Sequence, residues 1–99
     1  MGVPKSEDTL DTETILRRSP QSTFQVVTDE AILIHLGTGT YFSLNRVGTE
    51  FWQMLDGQGT IGGHAETLAH KYSVDVAVVT ADLLELAGKM VADKLVDEL

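Results

Sequence analysis

The 99-residue chain contains no cysteine. That excludes disulfides, thiolate nucleophiles and cysteine-ligated zinc together. Proline is scarce too, with only Pro4 and Pro20. No apolar run approaches the roughly 18 residues of a membrane span. The N-terminus lacks the apolar core of a secretory signal, so the cytoplasm is the expected compartment and no membrane partner is expected. Met1-Gly2 with Ser6 fits the loose N-myristoylation pattern, but the pattern is short and Pro4 is unfavourable to it. Positive charge is also in short supply, with 7 basic residues against 15 acidic ones and a net charge of −8. Nucleic acid repels such a surface unless the bases cluster, and the adjacent Arg17 and Arg18 stand near an expected tail. A protein or peptide partner of complementary charge fits better.

What is present is an ordinary globular mixture, 42% hydrophobic and 22% charged, enough for one domain and one core. Residues 1–19 are polar and acidic, with Leu10, Ile15 and Leu16 the sizeable apolar residues after Val3. They are expected to form a flexible N-terminal arm, ordered at most near Ile15-Leu16, leaving residues 20–99 as the domain.

From Ser22 the apolar period becomes two. Phe24 and Val26 share a face in "TFQVVTD". "AILIHLG" is a nearly continuous apolar run, rich in β-branched residues, and reads as a central strand. "GTG" at 37–39 is a hairpin turn, and "TYFSL" alternates Phe42 and Leu44 with Tyr41 and Ser43. The expectation is a three-stranded antiparallel meander over about 23–28, 31–36 and 40–44. Asn45 then caps a helix carrying Val47, Phe51, Met54 and Leu55, with Trp52 flanking. Glu50, in its first turns, complements the helix dipole, and Gly57 suits the left-handed position after its end. Thr60 caps a second helix with a weak stripe of Ala65, Leu68, Ala69 and Tyr72. Ser73 or Asp75 opens a third, over about 76–92. Its apolar residues fall into two stripes, Val76, Val79, Leu83, Leu86 and Met90 beside Leu84, Ala87 and Val91. A helix apolar over two stripes has more than one surface to satisfy. "KLV" at 94–96 reads as a short extended tail. The expected fold is α+β and winged-helix-turn-helix-like, a three-stranded antiparallel sheet followed by three helices.

Catalytic signatures are missing: no HExxH, no GxSxG, no phosphate loop. Glu66 and His70 share a helix face, but a metal site needs two further ligands, and a surface hydrogen-bonded pair is the simpler reading. "GQGTIGG" at 57–63 is glycine-rich before a helix, yet it lacks a preceding strand and a nearby lysine, so capping accounts for Gly57 and Thr60. Tyr41, Phe42, Phe51 and Trp52 have only Arg46 as a basic neighbour and suit core and groove walls better than base stacking. No cofactor is expected. The sheet edge is the remaining feature. Unprotected edge strands invite pairing and are usually blunted by charge or proline, and "TYFSL" carries neither. Either another element covers that edge or it accepts a guest strand, with side-chain pockets selecting the guest.

"GTYFSLN", "VGTEFW", "LDGQGT" before a helix, "LAHKYSVD" and "DLLELAGKMVADKLV" resemble the PqqD family, whose namesake acts in pyrroloquinoline quinone biosynthesis. Its fold is shared by the recognition elements of ribosomally made, post-translationally modified peptide (RiPP) pathways. The resemblance runs from about Phe24 to Val96. Its most specific part is the ordered set Leu44-Asn45, Gly48, Leu55-Asp56-Gly57 and Thr60. Gly62, Gly63 and His64 depart from the family's charged and aliphatic first turn, so the second helix is expected to start late. Asp93-Lys94 replaces a common glycine before "LV", and Leu55 stands where quinone-pathway members often carry cysteine. The hairpin together with Trp52 looks more like the stand-alone leader-binding proteins of lasso-peptide pathways.

The resemblance implies a non-enzymatic, bacterial cytoplasmic protein. It would bind the leader of a precursor peptide as an added strand and deliver it to a leader peptidase and, directly or indirectly, a cyclase. Carried onto this chain, the docking strand is Thr40, Tyr41, Phe42, Ser43 and Leu44, with Phe42 and Leu44 at the pocket floor. Val79, Leu83, Leu86 and Met90 of the third helix supply the wall, Met90 as a partly solvated groove residue. Asp82 and Glu85 stand at the rim, placed for a leader lysine or arginine. The rival within the family is a peptide chaperone for a radical-enzyme or quinone-cofactor pathway. From another class, the rival is a winged-helix DNA-binding regulator.

Overall fold

Asn45 divides the chain into a sheet half and a helical half. Its side-chain oxygen accepts the Gly48 N–H at 2.9 Å while its own backbone stays extended, which ends the strand before it and nucleates the helix after it. The computed structural model describes residues 10–99. The first nine residues of the expected arm, with the Met1-Gly2-Ser6 pattern, lie outside the described residues.

The elements in chain order are β1 (Leu16–Arg18), β2 (Ser22–Val27), β3 (Glu30–His35), β4 (Tyr41–Leu44), α1 (Arg46–Gln53), α2 (Ile61–Tyr72), α3 (Val76–Ala92) and β5 (Val96–Glu98). β2, β3 and β4 form an antiparallel meander with β3 in the middle. Leu33 pairs with Phe24 on one side and Phe42 on the other, and Ile34 pairs with Thr23 and Tyr41. The fold is α+β, winged-helix-turn-helix-like, with the three-stranded sheet followed by three helices.

The side-chain period of two sets the layers. Ala31, Leu33 and His35 of β3 are buried, while Ile32 and Ile34 are 42% and 39% exposed. The central strand is therefore apolar on both faces but covered on one. Phe51, Trp52, Leu55, Leu68, Leu83, Met90 and Leu95 complete the core. Phe24 meets Trp52 edge-on at 5.7 Å, joining the sheet to α1.

Three expectations are corrected. Residues 16–18, read as part of the arm, form β1 and pair antiparallel with β5. Leu16 is 1% exposed, and burying it outweighs the polarity of its neighbours. Arg18 donates through Nη1 to the carbonyls of Trp52 and Gln53 at 3.0 and 2.9 Å, satisfying the C-terminal end of α1. The closing strand falls at 96–98 instead of 94–96, because Lys94 takes a left-handed φ of 58° and turns the chain. α2 begins directly after Thr60, which accepts the Gly63 N–H at 3.0 Å. The early start has a packing reason: a methyl on Gly62 would stand 2.9 Å from Thr12 Cβ, so glycine there lets residues 12–14 lie against the helix.

Candidate peptide-binding cleft

A cleft of about 560 Å³ lies between β4 and α3, within the range of small-ligand sites. β4 brings Phe42, Ser43 and Leu44 to it, α1 brings Val47 and Gly48, and α3 brings Val78, Val79, Asp82, Leu83, Glu85, Leu86 and Lys89. Asn45 and Val74 also line it. Asp75 opens α3 by accepting the Ala77 N–H at 2.8 Å, and Ser73 instead ends α2 with a left-handed φ of 55°.

Of the residues singled out from sequence, Phe42, Ser43, Leu44, Val79, Asp82, Leu83, Glu85 and Leu86 line this cleft. Thr40 and Tyr41 stand on the same strand segment outside its lining, and Tyr41 is 73% exposed. Met90 is a correction. It is fully buried at 0% exposure: it shares a helix face with Leu86, but one turn further on that face is covered by the core. Asn45, Val47, Gly48, Val74, Val78 and Lys89 are the lining residues the sequence reading missed. The signal available was Gly48: a side chain there would meet Leu86 Cδ2 and Asn45 Oδ1, each at 3.3 Å.

The backbone of β4 decides what its edge offers. His35 N–H donates to the Thr40 carbonyl at 2.8 Å, so that pair is hydrogen-bonded. Antiparallel ladders alternate bonded and non-bonded pairs. Leu33 with Phe42 and Ala31 with Leu44 are then the bonded pairs in this register. Tyr41 and Ser43 therefore turn their N–H and C=O groups away from β3, toward the outer edge. No strand pairs with that edge among the described residues.

Charge at the rim is acidic. Asp82 and Glu85 are exposed, and Lys89 stands 3.6 Å from Glu85 one turn on. Asp82 has no ion-pair partner among the described residues. Outside the cleft lining, Glu50 of α1 accepts from Lys71 Nζ and Tyr72 Oη of α2. These hydrogen bonds, Lys71's first, hold the Glu50 carboxyl below its ordinary range. The same contacts hold Lys71 and Tyr72 above theirs. The cluster ties α1 to α2; Glu50 acts here as a tie between helices, not as a first-turn dipole partner.

The glycine-rich stretch offers no anion cradle. At the start of α2, Ile61 N–H donates to Thr14 O, Gly62 N–H to Thr12 O and Gly63 N–H to Thr60 Oγ1, so the donors a phosphate would use are already taken. Among the described residues there is no group of three or more His, Asp or Glu placed to hold a metal. No helix among them is long and apolar enough to cross a membrane.

Comparisons with known proteins find relatives of the chain and of its fold. The model of the family described as coenzyme PQQ synthesis protein D (PqqD) matches residues 30–96. The structure of TbiB1 in complex with the TbiA(beta) leader peptide is similar at 30% identity and a TM-score of 0.73, covering 82% of this chain and 94% of that one. The solution NMR structure of the PqqD truncation of Methylobacterium extorquens PqqCD, described as a functional and stand-alone RiPP recognition element, superposes with a TM-score of 0.77. It shares 16% identity and covers 92% of this chain and 97% of that one, a likeness of fold. No curated protein sequence matches the chain.

Proposed function

The chain belongs to the PqqD family, and on that premise we propose that it is a non-catalytic recognition element for the leader region of a ribosomally made precursor peptide. The leader adds as a strand along β4, taking the outward N–H and C=O groups of Tyr41 and Ser43. Its side chains enter the cleft between β4 and α3. The observation that carries this reading is the uncharged, proline-free, unpaired edge of β4 beside an apolar cleft, the arrangement that strand addition uses.

Within RiPP pathways, the reading extends to lasso-peptide biosynthesis, with the protein in the bacterial cytoplasm handing the leader to a leader peptidase and a cyclase. The likeness to TbiB1, itself seen with a leader peptide, supports this choice. Asp82 and Glu85 at the rim favour a leader with a lysine or arginine near its anchoring residues. Calorimetric titration with the leader of the chain's own precursor, with and without the peptidase, tests it; micromolar or tighter binding is expected.

A quinone-cofactor or radical-enzyme pathway is the second reading, favoured by the family's own description. A neighbouring radical-enzyme gene, in place of peptidase and cyclase genes, would select it. The winged-helix DNA-binding reading finds no basic face among the described residues. Arg17 stands by Asp97, Arg46 by Asp29, Lys71 by Glu50 and Lys89 by Glu85, and Arg18 is spent on α1 carbonyls.

A further inference from the structure

The turn that delivers the chain into β4 is organised by one side chain. His35, the last residue of β3, is 7% exposed. Its ring Nδ1 accepts the Gly37 N–H at 3.1 Å and the Thr38 N–H at 3.2 Å. Its carbonyl accepts the Gly39 N–H at 2.8 Å, and its own N–H donates to the Thr40 carbonyl at 2.8 Å. All three backbone N–H groups of residues 37–39 thus end on His35. Two donors converging on one ring nitrogen require that nitrogen to be unprotonated, which puts the ring proton on Nε2. Gly37 is part of the same device, since a methyl there would stand 3.0 Å from His35 Cε1 and 3.3 Å from Nδ1. Turn residues 37–39 are otherwise exposed. The remaining ties here are short-range, Thr38 with Thr40.

We propose that His35 is a positioning residue for peptide capture: its Nδ1, as a double acceptor, sets the 37–40 turn and thereby the alignment of the Tyr41 and Ser43 backbone groups at the docking edge. This rests on the strand-addition reading above. The imidazole never touches the guest. It acts by fixing the first residues of β4 before the guest arrives, so that less order has to be created on binding.

The discriminating variants follow from acceptor position. His35→Asn keeps an acceptor where Nδ1 stands, because an asparagine side chain bonds backbone N–H groups a few residues on in the same way. His35→Leu keeps apolar bulk without an acceptor, and Gly37→Ala keeps the imidazole but crowds it. The probe is the TbiA(beta) leader peptide, with each full-length variant first shown to be folded by circular dichroism. His35→Leu and Gly37→Ala should bind about tenfold more weakly than the wild type, and His35→Asn should recover most of the loss. In the free proteins, amide NMR lines of residues 37–43 should stay sharp in the wild type and His35→Asn and broaden in the other two. Equal affinity in His35→Leu and the wild type would overturn the proposal. So would a loss in His35→Asn as deep as in His35→Leu, which would leave ring bulk, not the acceptor, as the role. A wild type that binds neither this peptide nor the leader of the chain's own precursor defeats the strand-addition reading. The free-protein spectra then judge the turn by themselves, and identical line widths in all four overturn it.

Discussion

Leu86 of α3 packs directly over Gly48 of α1, so closely that a methyl on the glycine would stand 3.3 Å from Leu86 Cδ2. The pair forms cleft wall and is distinct from Met90, one helical turn further on, which is enclosed by the core. Mutating the two leucine-sized positions should therefore separate binding from stability. Leu86→Gln should weaken leader binding by about tenfold, as expected for a central apolar contact, with little change in melting temperature. Met90→Ala should cost about 2–5 kcal/mol of stability, the range for emptying a buried methionine site. A domain of this size loses roughly 4–8 °C in Tm per kcal/mol, so thermal melts beside calorimetric titrations tell the two apart.

Ser43→Pro tests the edge itself. Proline removes the N–H that faces outward and leaves the Phe42 and Leu44 ladder bonds to β3 in place. The expected outcome is loss of leader binding in calorimetry with the fold retained by circular dichroism. Phe42→Pro, which removes a bond to β3, should instead destabilise the domain.

Glu50 gives a pH signature. Its carboxyl lies below the ordinary value of 4.5 because Lys71 and Tyr72 hydrogen-bond its charged form. A lowered folded pKa adds stability that is complete above pH 4.5 and disappears as pH falls through the lower folded value. Glu50→Gln should thus be less stable than the wild type near neutrality, by about 1 kcal/mol for a partly exposed cluster. The gap should close in acid. Urea denaturation from pH 7 to pH 3 measures it.

Neighbouring glycines at the start of α2 should respond oppositely. Alanine in a helix is ordinarily favoured over glycine by about 1 kcal/mol. At Gly63 the added methyl meets only Thr60 Oγ1, at 3.3 Å, so Gly63→Ala should be neutral or mildly stabilising. At Gly62 it meets Thr12 Cβ at 2.9 Å and Thr12 O at 3.1 Å. Gly62→Ala should therefore lower the melting temperature and loosen residues 12–14, read as faster amide exchange at Thr14.

Local signals carried most of the architecture. Asn45, Thr60 and Asp75 are capping residues by chemistry and cap the three helices in fact. The alternation in "TFQVV" and "YFSL" and the apolar run "AILIH" between them set the meander and its order. What could not be read was long-range. β1 and β5 are three residues each and acquire their identity only from each other, and neither Leu16-Arg17-Arg18 nor Val96-Asp97-Glu98 has an apolar period of its own. Met90 was misplaced because an apolar stripe on α3 does not reveal where along its length the cleft gives way to the core. Val47 and Val78 reach the cleft from elements whose mutual approach depends on Gly48, a geometric fact rather than a pattern. The sidedness of β3 is similar: Ile32 and Ile34 look as buried in sequence as Leu33 does.

The central claim is tested most directly by amide hydrogen exchange along β4, measured with and without the leader of the chain's own precursor. Phe42 and Leu44 N–H groups already bond to β3 and should change little. Tyr41 and Ser43 N–H groups face the open edge and should exchange fast in the free protein and slow together when the leader is added. Leader binding that leaves Tyr41 and Ser43 as fast as before would contradict strand addition at this edge.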